Sequence, residues 1–129
     1  MRSFSFITDV LSCLEGMGTQ SAAVGEVINI GPDEADTSVL QLASTIADLL
    51  GFTLEPIFLP ACPTEVAIAT CSADKARALL GYRTTTTLRE GLSAMIAWYH
   101  EHPSPDFRYD IELEIASPLT PRSWSDRLM

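Results

Sequence analysis

The stretch from Ser38 to Gly51 constrains the fold of this chain more than any other. Ser38 and Gln41 stand at the spacing of a capping box, in which a hydroxyl and an amide side chain each satisfy a backbone N–H that the first helical turn leaves without a partner. Val39, Leu42, Ala43, Ile46 and Leu49/Leu50 recur at the helical period and form one apolar stripe. Gly51 falls where a left-handed C-cap belongs. The spacing therefore predicts a helix from Ser38 to Leu50 that must lay its stripe on another element. Thr87-Leu-Arg-Glu90 repeats the capping box and opens a second helix, predicted through about Glu101, with Pro103 just beyond. Its stripe is Leu88, Leu92, Met95, Ile96 and Tyr99. Trp98 and Tyr99 read as core, because aromatics at helical spacing are more often packing than recognition.

The remaining elements are shorter. Phe4 and Phe6 flank Ser5 in a strand-like stretch, and a helix follows from about Thr8 with Val10, Leu11, Leu14 and Met17 on one side, ended by Gly16/Gly18. Residues 19–25 read as a loop, and Glu26-Val-Ile-Asn-Ile30 as a short buried strand stopped by Gly31-Pro32. Leu54–Leu59 is extended but interrupted by Pro56, which makes it an edge strand or a non-sheet segment. Ser72 to Leu80 is a short helix ending at Gly81, its early Asp74 suited to the macrodipole and Asp74/Lys75 a solvated pair. In the tail, Tyr109–Ile115 alternates acidic and apolar residues, and Pro118 and Pro121 forbid a long helix. The order β-α-β-α-β-α-α-tail predicts an α/β fold class, a small mixed domain with short strands and three to four helices.

Charge and composition remove several functions. The 129 residues are 47% hydrophobic, too apolar for a disordered chain, and carry a net charge of −9. Arg2 is the only Lys or Arg before residue 75, so nucleic acid is not expected as a partner: phosphate backbones need clustered cations. Nowhere do about 18 apolar residues run uncharged, so no membrane span is expected. Asp9 and Glu15 interrupt what a secretory signal would need to keep apolar. Cys13, Cys62 and Cys71 are odd in number and lack C-x-x-C spacing, and His100 and His102 lie far along the chain. No disulfide framework and no metal site is expected, only reduced cysteines in a cytoplasmic protein.

Catalytic motifs are missing too. No G-x-G-x-x-G follows a strand, no G-x-x-x-x-G-K-[ST] loop exists, and there is no G-x-S-x-G elbow. No Tyr is followed four residues later by Lys, and Lys75 is the only lysine. A Cys–His nucleophilic pair can be drawn from Cys71 with His100, but no spacing favours it.

Several segments nonetheless stand in a recognisable order. Arg2-Ser-Phe-Ser-Phe-Ile-Thr-Asp9-Val is similar to an "R-x-F/W-x-Y-V-x-D-V" segment, and Gly25-Glu-Val-Ile-Asn-Ile-Gly31 to "G-x-x-Y/I-N-I-G". Ser38–Gly51, Cys71–Tyr82 and Thr87–Glu101 match further helical motifs, and Thr120-Pro-Arg-Ser-Trp-Ser-Asp-Arg-Leu looks like a closing segment. The ordered set resembles the C-terminal part of extended short-chain dehydrogenases/reductases, the NAD-dependent sugar-nucleotide epimerases and dehydratases. The resemblance implies a substrate-binding-like domain over residues 1–103, lacking the Rossmann half, and an extended tail over 104–129 that packs on the domain or on a partner. It also implies that NAD belongs to the full-length family and that no cofactor binds this chain. Without the glycine motif and the Tyr-x-x-x-Lys pair, no residue here is expected to be catalytic, since the protein's share of hydride transfer is to position a bound nicotinamide.

The same resemblance implies substrate-binding residues. Arg2 aligns with an arginine that clamps the sugar-nucleotide diphosphate, as a planar guanidinium fork can; the alternative is an ordinary N-terminal arginine. Asn29 lies near the nucleotide pocket in the family, or else its amide fastens the strand end to the next loop. Glu65 stands where an acidic residue accepts from ribose hydroxyls, or is a solvated surface glutamate. Cys62 departs from the pattern, occupying a place where relatives often carry a second arginine, and Ala67, Ile68 and Ala69 replace a basic stretch. Losing one charge-assisted phosphate contact costs on the order of 1.5–3 kcal/mol, so nucleotide-sugar binding is expected to be weakened. The partners implied are a nucleotide-sugar and a Rossmann domain or a second copy of the chain. The competing readings are a non-catalytic assembly module, whose apolar face would self-associate or dock on a separate Rossmann subunit, and a small enzyme built on Cys71 or a carboxylate pair.

Overall fold

Local capping decides where the helices begin and end. The computed structural model of the chain describes residues 1–32, 35–58 and 66–103. They form α1 (Ile7–Thr19), a single 3₁₀ turn (Ser21–Ala23), α2 (Val39–Leu50), α3 (Asp74–Leu80) and α4 (Leu88–Glu101). At α2 the Gln41 N–H donates to Ser38 Oγ at 3.1 Å while the Ser38 N–H donates to Gln41 Oε1 at 2.8 Å. At α4 the Glu90 N–H donates to Thr87 Oγ1 at 3.3 Å and the Thr87 N–H to Glu90 Oε2 at 2.8 Å. The Thr87 hydroxyl, donating to Glu90 Oε2 at 2.6 Å, and the Thr87 amide hold the exposed Glu90 carboxyl below its ordinary value. Gly51 and Gly81 close α2 and α3 at φ +72° and +65°, a left-handed conformation that costs an L side chain roughly 1–2 kcal/mol.

The small mixed α/β domain read from the sequence is not what these residues build. They contain four α-helices and no strand. Extended pairing is reduced to single rungs: Arg2 bridges Thr37 antiparallel and Ala69 parallel. Phe4–Phe6 does not extend into a strand, because Phe6 already serves as the N-cap of α1. Residues 27–29 form no strand and exchange no backbone hydrogen bond with another described segment, so the expected buried strand has no ladder. Residues 52–58 likewise stay outside any sheet, as Pro56 lacks the donor a ladder needs. Glycine did not end α1 either. The helix runs through Gly16 and Gly18 to Thr19, and a Cβ on the buried Gly16 would come within 3.1 Å of Gln20 Nε2 and 3.3 Å of Leu80 Cδ2 of α3.

The core is correspondingly small. α1, α3 and the 3₁₀ turn pack together, and α2 packs on α4. Cys13, Ala73, Ala76 and Tyr82 are buried at the first junction, with Ile28, Ile30 and Leu80 packed against them. The buried Tyr82 hydroxyl has no hydrogen-bond partner among the described residues. Phe6 lies against Gly91 of α4, where a Cβ would fall 2.9 Å from Phe6 Cδ2. The stripe expected to bury α4 does so only in part: Leu92 is buried, but Met95 and Tyr99 are exposed, as is Trp98 at 60%. Trp98 is not core; its ring stacks on His102 with centroids 4.6 Å apart. Ala47, outside the predicted stripe, is the buried residue of α2. The expected tail over 104–129, with its alternating Tyr109–Ile115, lies outside the described residues.

Candidate functional site

Three segments meet beside the N-terminus. The Arg2 N–H donates to the Thr37 carbonyl and the Thr37 N–H to the Arg2 carbonyl, both at 2.9 Å, and the Ala69 N–H donates to the Met1 carbonyl at 3.1 Å. Ser3 Oγ donates to Asp36 Oδ1 at 2.7 Å, and the N-terminal ammonium to the Ala67 carbonyl at 2.7 Å. Between them lies a cleft of about 290 Å³ lined by Ser3, Ser5, Ile30, Gly31, Ala69, Thr70 and Cys71. Gly31 is what lets the walls approach: a Cβ there would come within 3.1 Å of Cys71 Sγ. The Cys71 thiol points at the Ile30 carbonyl, 3.5 Å away.

The lining offers three hydroxyls, a thiol and no charged side chain. Such a surface suits a hydroxylated, neutral moiety. It does not suit a diphosphate, whose oxygens call for cations. Arg2, expected to supply that cation, does not line the cleft. An extended chain alternates its side chains, so with Ser3 and Ser5 facing in, Arg2 and Phe4 face away. The Arg2 guanidinium turns to the carbonyls of Met1 at 3.0 Å and Ala67 at 3.4 Å. Asn29 is exposed, and its neighbour Ile30 reaches the cleft instead. Glu65 and the departing Cys62 lie outside the described residues. Cys71 has no hydrogen bond to His100 among the described residues, and no cluster of potential metal ligands occurs among them.

A second constellation escaped the sequence reading altogether. The buried Asp9 carboxylate accepts four hydrogen bonds: from the Thr85 and Thr86 amides at 3.2 and 3.1 Å, from the Thr86 hydroxyl at 3.4 Å, and from the Thr85 hydroxyl in a short contact. Burial pushes this carboxyl up, but the four donors outweigh it and hold it below the ordinary aspartate value. The clamp ties the first turn of α1 to the loop before α4. Its only trace in the sequence is an acidic residue early in a helix, and that pattern does not name a partner 76 residues away. The alternating serines of Arg2-Ser-Phe-Ser-Phe do carry a signal for the cleft, since they put two hydroxyls on one side of an extended segment.

Among the described residues one first-turn amide of each of α2, α3 and α4 (Gln41, Asp74 and Glu90) donates to a side-chain oxygen of Ser38, Ser72 and Thr87 respectively. Among the described residues no helix is long and apolar enough to cross a membrane.

Comparison with known proteins points the same way as the ordered motifs. Over 97 residues, 75% of the chain, it is 31% identical to a Bacillus subtilis protein named uncharacterized UDP-glucose epimerase YtcB. That stretch spans 30% of the relative's own length. No family model matches the chain, and no solved structure matches it.

Proposed function

We propose that the chain is the C-terminal, substrate-domain portion of an NAD-dependent nucleotide-sugar epimerase or dehydratase, contributing nucleotide-sugar binding but not hydride transfer. The observation that carries this reading is the 31% identity to a protein named as a UDP-glucose epimerase, confined to 30% of that protein's length. The cleft between Ser3, Gly31 and Cys71 takes the hydroxylated part of the ligand. Arg2, Asn29 and Glu65 contribute to nucleotide-sugar binding, and Arg2 must leave the carbonyls of Met1 and Ala67 to reach a phosphate. NAD and the catalytic residues belong to the Rossmann half of such an enzyme, which lies outside the matched 30% of the relative.

Thermal unfolding in the presence of UDP-glucose tests the reading. At 100 times the dissociation constant, binding adds about 2.7 kcal/mol of stability, which is several degrees in Tm for a domain of this size. An unchanged Tm at millimolar UDP-glucose refutes it. A second reading, a non-catalytic assembly module, is favoured by the exposed aliphatic row Ile7, Leu11 and Leu14 on α1. Under it UDP-glucose leaves the melt unmoved while the chain still forms a complex.

A further inference from the structure

We infer that α4 and the loop before it position one wall of the cleft: Gly91 and the Thr85–Thr86 pair, acting through Phe6 and Asp9, fix where the Ser5 hydroxyl meets the sugar. The inference deepens the proposed function and rests on that reading. Ser3 and Ser5 line this wall, and the chain passes from Ser5 straight into Phe6, the N-cap of α1. Consecutive Cα atoms are held about 3.8 Å apart, so Ser5 follows any movement of Phe6. The other end of the wall is tied down separately. Arg2 exchanges two backbone hydrogen bonds with Thr37, and Ser3 Oγ donates to Asp36 Oδ1 at 2.7 Å. What α4 decides is the Ser5 end.

Two contacts join that end to α4. The Phe6 ring sits on Gly91, where a Cβ would fall 2.9 Å from Cδ2 and 3.4 Å from Cγ. Carbon atoms pack best at about 3.5–4.0 Å, so only a bare backbone admits the ring this closely. Rotating the ring about its own axis moves Cδ2 but not Cγ, and relief therefore requires Phe6 as a whole to shift by about 0.5–1 Å. The second contact keeps α1 from absorbing that shift. The buried Asp9 carboxylate, three residues after Phe6, is held by both amides and both hydroxyls of Thr85 and Thr86. The opposite wall is set by its own close approach, a Cβ on Gly31 lying 3.1 Å from Cys71 Sγ. Movement at Phe6 thus displaces one wall against the other. A hydroxyl hydrogen bond has a working range of about 2.5–3.0 Å, so a displacement of this size breaks the Ser5 contact to the sugar. The cleft lining has no charged side chain, and the diphosphate is held elsewhere, so nucleotide contacts are spared.

Calorimetric titration of the full chain with UDP-glucose and with UDP separates this role from plain stability. Gly91→Ala is expected to raise the Kd for UDP-glucose about three- to tenfold, the worth of one hydroxyl hydrogen bond, and to leave the Kd for UDP unchanged. Phe6→Leu in the same chain should restore most of the loss, since it removes the ring carbons that the new methyl meets. Asp9→Asn, which keeps the shape of the carboxylate but not its charge, is expected to show the same split and serves where Gly91→Ala does not fold. Ala47→Gly, at the buried position of α2, lowers the Tm through helix propensity and should change neither Kd. A folded Gly91→Ala or Asp9→Asn chain that binds UDP-glucose as the wild type does, or that loses affinity for UDP and UDP-glucose alike, overturns the inference and leaves the reading standing. A wild-type chain that does not bind UDP-glucose overturns the reading, and the inference with it.

Discussion

Replacing Asp9 by alanine strands several donors at once. The carboxylate accepts from two backbone amides and two hydroxyls of Thr85 and Thr86, and is itself only 4% exposed. A hydrogen bond to a charged acceptor contributes about 1.5–3 kcal/mol net, and contributions within one constellation do not add fully. The hydroxyls can turn to water, since Thr85 lies at the surface, so the two amides dominate the loss. Asp9→Ala should then cost about 3–5 kcal/mol, a large share of the 5–15 kcal/mol that holds a typical domain. Asp9→Asn keeps the shape and one acceptor oxygen and should cost about 1–2 kcal/mol. Urea titration reads both as a fall in the midpoint at constant slope.

The same carboxylate sets an acid limit. Its folded pKa lies below its unfolded one, so its stabilisation is fully present above the unfolded value, about 3.9. That stabilisation is lost as pH falls through the folded value. Between pH 5 and 2 the wild type should lose more stability than Asp9→Asn, which has no proton to take up there. An Asp9→Ala variant within 0.5 kcal/mol of wild type (about the spread of ordinary surface substitutions), or an Asp9→Asn variant with the wild-type acid slope, refutes the clamp.

Two further outcomes follow from close contacts and burial. Gly91→Ala places a Cβ 2.9 Å from Phe6 Cδ2 and should destabilise by about 1–3 kcal/mol in a thermal melt, with Phe6→Leu in the same chain recovering part of the loss. Cys13 is buried with its thiol pushed up by burial, whereas Cys71 is exposed. Iodoacetamide at neutral pH should therefore label Cys71 well before Cys13, as read by peptide mass spectrometry, and denaturant should bring Cys13 level.

What the sequence revealed and what it hid divide along the range of the interaction. A capping box closes over three residues, and a left-handed glycine answers to the turn just before it; Ser38, Thr87, Gly51 and Gly81 could be read because everything that decides them is local. Gly16 misled for the opposite reason. It lies buried beside Leu80 of α3, which no window around residue 16 contains. The apolar stripe of α4 was correct as a period but silent about what lies opposite. The short α2–α4 contact leaves Met95, Trp98 and Tyr99 uncovered, and periodicity alone cannot distinguish a core from a docking face.

Strands depend on distant partners most of all. Glu26–Ile30 carries strand composition without a ladder, because a strand is defined by a neighbour and not by its own residues. The same holds for the candidate site. The ordered motifs singled out Arg2, whereas the side to which it faces follows from the rungs to Thr37 and Ala69, with Ser3 and Ser5 lining the cleft. Where a segment's apolar residues outnumber the surfaces that the described residues provide to cover them, as at Ile7, Leu11 and Leu14 of α1 and at Val27, the excess is itself a physical statement: burying each such side chain is worth about 1.5–3 kcal/mol, and the described cluster of Cys13, Ala73, Ala76 and Tyr82 does not supply that burial.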